Sequence, residues 1–290
     1  MTIRRYFLGC PSWGLKDWVG HLYKEKKPGT FLSQYSSVFN TVEGNTTFYS
    51  LPPTHTVERW REATPTDFRF SFKLPKTITH ERGLRNAATE TNTFLRRMAP
   101  LGERLGPFMI QLPPSFGPDR LGLLERFLGS LPSEFQFAVE VRHPAFYDDE
   151  NLHRHVDELL AHHACERVLM DTRSLRSGDA DHPEVQAARH KKPDLAITPV
   201  ALGPHPMVRF IGHPEADVNT PWLDLWADLL KHWIGQGRRP YFFAHCPNDF
   251  HAPELARRLH RRLEQSLNLS PMPEWPGESS EGGQQLSLFG

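Results

Sequence analysis

Short apolar runs bounded by Gly or Pro alternate along the chain with segments of helical periodicity. Residues 6–11, 41–45, 68–74, 108–112, 137–142, 167–171, 207–212 and 241–246 read as strands. Helical patterns lie between them at 31–39, 56–63, 90–105, 121–131, 152–162, 221–235 and 253–267. Pro221 and Pro253 suit first-turn positions, with Asn219 or Thr220 and His251 or Ala252 where caps fall. The sixth connection, 174–199, is rich in charge and Pro and carries the weakest helical pattern. Strand starts recur roughly every 30 residues, the length of a βα unit, and eight such units match the ~250 residues of a (β/α)8 TIM-like barrel. An open doubly wound sheet is the alternative. The eight repeats and the lack of a Gly-rich phosphate loop after the first strand count against it.

The alternation stops at Leu269, so the chain divides into a barrel over 1–268 and a tail over 269–290. The stretch from Ser270 to Gly283 is rich in Pro, Gly, Ser and Glu and reads as a flexible linker, because such a composition buries too little apolar area to offset its ordering entropy. It ends in an apolar cluster, Leu286, Leu288 and Phe289.

Charge changes this picture only locally. Lys plus Arg and Asp plus Glu are equal at 34 each, which removes the global basic field of a typical nucleic-acid binder. The basic stretches Arg189-His190-Lys191-Lys192 and Arg257-Arg258-Leu259-His260-Arg261-Arg262 read as solvated faces. Three cysteines, far apart and in no C-x-x-C spacing, suggest neither a disulfide framework nor a zinc knuckle. With no signal-peptide core and no membrane-spanning run, a cytoplasmic protein without a membrane partner is expected.

In a β/α barrel the carboxyl ends of the strands build the site. Glu43, Lys73, Glu140, Asp171 and Arg209 are charges inside otherwise apolar strands, costly to bury unless paired or facing a wet pocket. Asn45, Gln111, Arg142 and His143 lie at or just past strand ends, as do His213, His245 and Asp249. The carboxylates Glu43, Glu140 and Asp171, with His143, are the candidate catalytic groups. Asn45, Lys73, Gln111, Arg142 and Arg209 are the candidate substrate contacts, the cations suiting an anionic substrate. The carboxylates with His143 and His245 offer donors for a divalent metal ion as an alternative. The metal signal is weak, since no His-x-His or His-x-x-x-His spacing with the expected supports occurs.

Four segments carry a resemblance: Val42-Glu43-Gly44-Asn45-Thr46-Thr47-Phe48-Tyr49, Phe70-Ser71-Phe72-Lys73, Gln111-Leu112-Pro113-Pro114-Ser115-Phe116, and Ala138-Val139-Glu140-Val141-Arg142-His143-Pro144. In this order the chain resembles the YecE-like family, a bacterial and archaeal domain of unknown function. The resemblance implies a β/α barrel and no established activity. The chain departs from the commoner pattern at Cys10-Pro11-Ser12-Trp13 and at Ala244-His245-Cys246. Separately, Gln285-Leu286-Ser287-Leu288-Phe289 is similar to the pentapeptide by which bacterial polymerases and repair proteins bind the replication sliding clamp, which would make Gln285, Leu286, Leu288 and Phe289 partner contacts. The leading expectation is a hydrolase acting on phosphoester bonds, a DNA repair-type phosphodiesterase brought to DNA by the sliding clamp. A noncatalytic clamp-associated accessory and a small-molecule isomerase or lyase are the rivals.

Overall fold

The computed structural model describes residues 5–179 and 181–278. Among them are eight short parallel strands: β1 (Phe7–Gly9), β2 (Thr41–Gly44), β3 (Arg69–Phe72), β4 (Phe108–Gln111), β5 (Phe137–Glu140), β6 (Glu166–Asp171), β7 (Met207–Ile211) and β8 (Tyr241–His245). Each falls on an expected run, and helices stand between them. Six strands form one curled sheet in the order β1-β8-β7-β6-β5-β4, and β2 pairs with β3.

In place of one continuous eight-stranded ladder there are thus two, meeting at two seams. Prolines help to explain the interruption, because Pro11, Pro75 and Pro107 have no N–H to give a ladder. At the β1–β2 seam one backbone bond remains, Glu43 N to Cys10 O at 3.0 Å, and side chains supply others. Asn40 accepts from Leu8 N at 2.8 Å and donates to Tyr6 O at 2.8 Å, while the Tyr35 hydroxyl accepts from Cys10 N at 2.7 Å. A Cβ on Gly9 would lie 2.0 Å from Thr41 O, so only glycine allows this approach. The β3–β4 seam keeps isolated backbone bonds, Gly106 N to Phe70 O at 2.8 Å and Leu74 N to Met109 O at 2.9 Å.

Strand alternation sorts side chains between two interiors. Phe7, Met109, Ala138, Val168, Met207, Tyr241 and Phe243 point inward and fill the barrel-like core near the amino ends of the strands. The alternate positions, among them Leu8, Val42, Phe70, Ile110, Val139, Leu169, Phe210 and Phe242, meet the helices in the larger core. Helix Thr220–Gly235 buries Leu223, Trp226, Ala227, Leu230 and Trp233, the 3–4 spacing of one apolar stripe. Pro221 lies in its first turn as expected, and Asn219 occupies the cap position. The Asn219 side chain, however, bonds to His213 N and Ser174 Oγ instead of capping. The pattern expected over 90–105 ends as a helix at Met98, where Pro100 and Gly102, with φ 56°, interrupt it.

The linker expectation fails for 269–278, which packs on the barrel. Trp275 is fully buried, the Arg257 guanidinium lies 3.7 Å from its ring centroid, and Arg257 pairs with Glu278 at 2.9 Å. One buried indole removes on the order of 200 Å² from water, enough to anchor a segment that is otherwise polar. The clamp-like residues Gln285, Leu286, Leu288 and Phe289 lie outside the described residues. No helix among the described residues is long and apolar enough to cross a membrane.

Candidate functional site

Most inward positions one layer above the apolar plug are polar, Met170 on β6 being an exception. Glu43 on β2, Glu140 at the end of β5, Arg209 on β7 and His245 at the end of β8 are all buried, and Lys73, just past β3, joins them. Arg209 is the hub. Its Nε and Nη2 donate to the two oxygens of Glu43 at 2.8 and 2.9 Å, and its Nη1 donates to Glu140 Oε2 at 2.6 Å. Glu43 also receives Lys73 Nζ at 3.2 Å and His245 Nε2 at 3.0 Å. Arg142 closes the ring, with Nε on Glu140 Oε1 and Nη2 on Gln111 Oε1 at 3.1 Å.

Burial alone would raise both carboxylates, yet the cations win. Arg209, Lys73 and His245 hold Glu43 well below the usual carboxylate range, and Arg142, Arg209 and Lys73 hold Glu140 down at about 2. Burial and then Arg209 push Lys73 down to about 8, with the two glutamates opposing. Burial likewise takes His245 down to about 4 despite Glu43. Its ring is therefore neutral at pH 7, and the carboxylate partner fixes the proton on Nε2. Nδ1 has no protein partner among the described residues and opens onto the cavity that His245 lines.

That cavity, of about 740 Å³, lies over the strand ends. Lys73, Arg142, Arg209, Gln111, Asn45 and His245 form its floor. The β6–β7 connection forms a wall, where helix Pro183–Lys191 brings Glu184, Lys191 and Lys192 over the mouth, and Asn248 and Asp249 come from the loop after β8. Lys192 has no ion-pair partner among the described residues, and burial followed by Arg209 and Lys73 lowers it to about 8. Burial raises Asp249 to about 6 against the pull of Lys192. A second cavity of about 510 Å³, lined by Glu43, Trp13 and Trp60, adjoins the first through Pro11, Asn45 and Asp249.

The structure thus brings together Glu43, Asn45, Lys73, Gln111, Glu140, Arg142 and Arg209, and separates two candidates from them. Asp171 is paired across the sheet with Phe210, an outward position, so it points at the helices. There it accepts from Trp226 Nε1 at 2.7 Å and from Arg173 Nε and Nη2 at 2.9 and 2.8 Å. The inward neighbour on β6 is Met170, paired with Arg209. His143 leaves the strand direction altogether, accepting from Ala145 N at 3.2 Å and lying against the loop at Gly117. Conversely, Lys192 belonged by sequence to a solvated basic stretch, and His245 stood at a strand end only as a donor in the metal-ion alternative. Only period-2 counting back from His245 to Phe243 and Tyr241 could have placed the histidine inward.

The divalent-ion alternative finds no donor set. Among the described residues no group of three His, Cys, Asp or Glu side chains comes together, and every oxygen of Glu43 and Glu140 already receives a cationic or imidazole N–H.

Fold and site define a barrel-like α/β protein with a cation-rich cavity over the strand ends. The chain belongs to the family described as "Protein of unknown function DUF72", whose model matches residues 7–278. It is 38% identical over 275 residues to the UPF0759 protein YecE of Escherichia coli K12, covering 94% of this chain and 98% of that protein. Among solved structures, a DUF72 protein of Enterococcus faecalis V583 superposes with a TM-score of 0.70 at 21% identity, over 93% of this chain and 98% of that one. One from Thermotoga maritima MSB8 gives 0.65 at 24%, over 91% and 99%.

Proposed function

We propose that this protein is an enzyme acting on a phosphate-bearing substrate held in the strand-end cavity, with the two ladders read as one eight-membered β/α barrel with loose seams. The observation that carries the reading is the charge balance of the site. Three cations, Lys73, Arg142 and Arg209, surround two carboxylates, Glu43 and Glu140, whose oxygens are all engaged, while at the mouth Lys191 and Lys192 face Glu184 and Asp249, which leaves cations in excess around the cavity. An anion supplies the missing negative charge.

His245 is the proton acceptor in this reading. Glu43 orients the ring and stabilises the imidazolium formed when Nδ1 takes a proton from an attacking water or hydroxyl, and the protonated Lys73 and Lys192 steady charge on the leaving oxygen. By itself His245 is a weak base. Burial is the main cause of the depression, with Arg209 and Lys192 adding to it, and a bound anion raises His245 by offsetting those two fields. A panel of phosphomonoesters and phosphodiesters tests this directly. His245→Gln is expected to cut turnover by roughly 10²–10⁴-fold while leaving Tm in place. Turnover that survives His245→Gln removes the assigned base. Binding of phosphate compounds without any turnover favours the accessory role instead.

Recruitment to DNA by the sliding clamp through Gln285, Leu286, Leu288 and Phe289 is the part of the proposal that rests on sequence. Because 269–278 is held on the barrel, only 279–284 separate it from the peptide, a span of at most ~3.6 Å per residue. The barrel would sit roughly 20 Å from the clamp, close rather than loosely tethered. A labelled peptide of the last twelve residues should bind purified clamp with micromolar affinity, roughly −8 kcal/mol, and the Leu288→Ala/Phe289→Ala peptide should not. Equal binding, or none by the native peptide, removes the clamp from the reading.

A further inference from the structure

We infer that the cavity takes a phosphate ester carrying a flat aromatic group, the chemistry of a nucleotide, with the phosphate among Lys73, Arg142 and Lys192 and the ring stacked on Tyr49. The inference rests on the anion-site reading above and adds what lies beside the anion.

Tyr49 ends the short helix Thr46–Tyr49, which follows β2 directly and is tied down where Thr47 Oγ1 donates to Lys73 O at 2.7 Å. That bond fixes the distance from the aromatic segment to the amine on the next strand. Tyr49 lines the same cavity as Lys73, Arg142 and Lys192 but is 74% exposed. Its hydroxyl has no partner among the described residues. The Tyr49 and Phe48 rings meet edge to face at 5.2 Å and 90°, and Phe48 in turn meets His80 in the same way at 5.0 Å. The ring is therefore propped from one side with a face left open. A lone exposed aromatic is ordinary on a protein surface. Here, of three large apolar side chains exposed among the described residues, Tyr49 is the most exposed and the one that lines this cavity. A cationic floor beside an open aromatic face is the pairing that binds nucleotides, charge to phosphate and ring to base. The volume of about 740 Å³ falls within the range of ligand pockets, roughly 300–1,000 Å³, and admits a whole nucleotide.

The test is calorimetric titration of the full chain with inorganic phosphate, ribose 5-phosphate, adenosine 5′-monophosphate and a 5′-phosphorylated single-stranded oligonucleotide. The monophosphate should bind roughly tenfold to a hundredfold more tightly than ribose 5-phosphate, the range expected for one stacked base. Tyr49→Ala should erase that ratio and leave phosphate affinity unchanged, and Tyr49→Phe should keep it. Lys192→Met should weaken all four ligands together. If phosphate compounds bind but the base adds nothing, the stacking inference is wrong and the anion site stands. If none of the four binds, the anion site falls and takes the inference with it. A further gain for the oligonucleotide identifies the source as a strand terminus, and equal affinity identifies a free nucleotide.

Discussion

Glu43 with Glu140 inside the barrel and Asp171 outside it are all buried carboxylates at strand ends, and all are held by arginine, yet they do opposite things. Asp171 forms a closed unit, since Arg173 and Trp226 take both oxygens and nothing from this group reaches the cavity. The inner pair shares one arginine, and the groups around it keep free hydrogen-bonding sites on the cavity, His245 Nδ1 among them. Burial and ion pairing therefore do not distinguish scaffold from site. What does is whether the network, once its internal bonds are made, still presents donors and acceptors to a cavity.

Removing the shared arginine breaks the comparison hardest. Arg209→Met leaves two carboxylates in a buried site with only part of their compensation, and a loss of about 3–5 kcal/mol is expected, roughly 6–15 °C in Tm. The deficit should shrink in acid. An underpaired buried carboxylate has a folded pKa above its unfolded value, so it binds protons better when folded and gains stability as pH falls. Asp171→Asn is the milder counterpart, about 1–2 kcal/mol, since the amide keeps one acceptor for Trp226 or Arg173. It should leave ligand binding untouched. If Asp171→Asn weakens phosphate binding as much as Arg209→Met does, the inside and outside networks are not separable and the site is wrongly bounded.

The strands were legible because a strand buried on both faces reads as a continuous apolar run, and the charged residues stood out against it. Which face each charge takes was less so. Within β6 the period of two puts Val168 and Met170 on one side and Asp171 on the other, but only the pairing of Met170 with Arg209 says which side is inward. Register across strands is a tertiary fact. Lys192 was hidden for a different reason, since its position depends on the path of the whole β6–β7 connection, whose main helix buries only Val185 and Ala188 and gives little periodicity. The 269–278 segment misled because composition averages over residues. Its Pro, Gly and Glu content is that of a linker, and a single residue, Trp275, decides that it packs.

The smallest expected effect is also the one that reads the inner network without mutating it. Sulfate is the suitable probe, because its charge is constant from pH 5 to 9 and any change in affinity belongs to the protein. Lys73 and Lys192 both lie at about 8, so below that pH both carry charge and above it both lose it. Affinity should fall as pH rises through 8, and the anion, by favouring the charged amines, should draw protons from solvent there. Asp249, at about 6, acts the other way round in mechanism but in the same direction. Below 6 it is neutral, and above 6 its carboxylate repels the ligand, so affinity falls again across that range. The expected profile descends in two steps, near 6 and near 8, each limited to about tenfold per pH unit for every fully coupled group that takes part. Asp249→Asn should shrink the lower step, to which His245 also contributes, and Lys192→Met should shrink the upper one, while Asp171→Asn should alter neither. A profile that rises with pH, or one flat from 5 to 9, would mean that the anion does not sit among these groups.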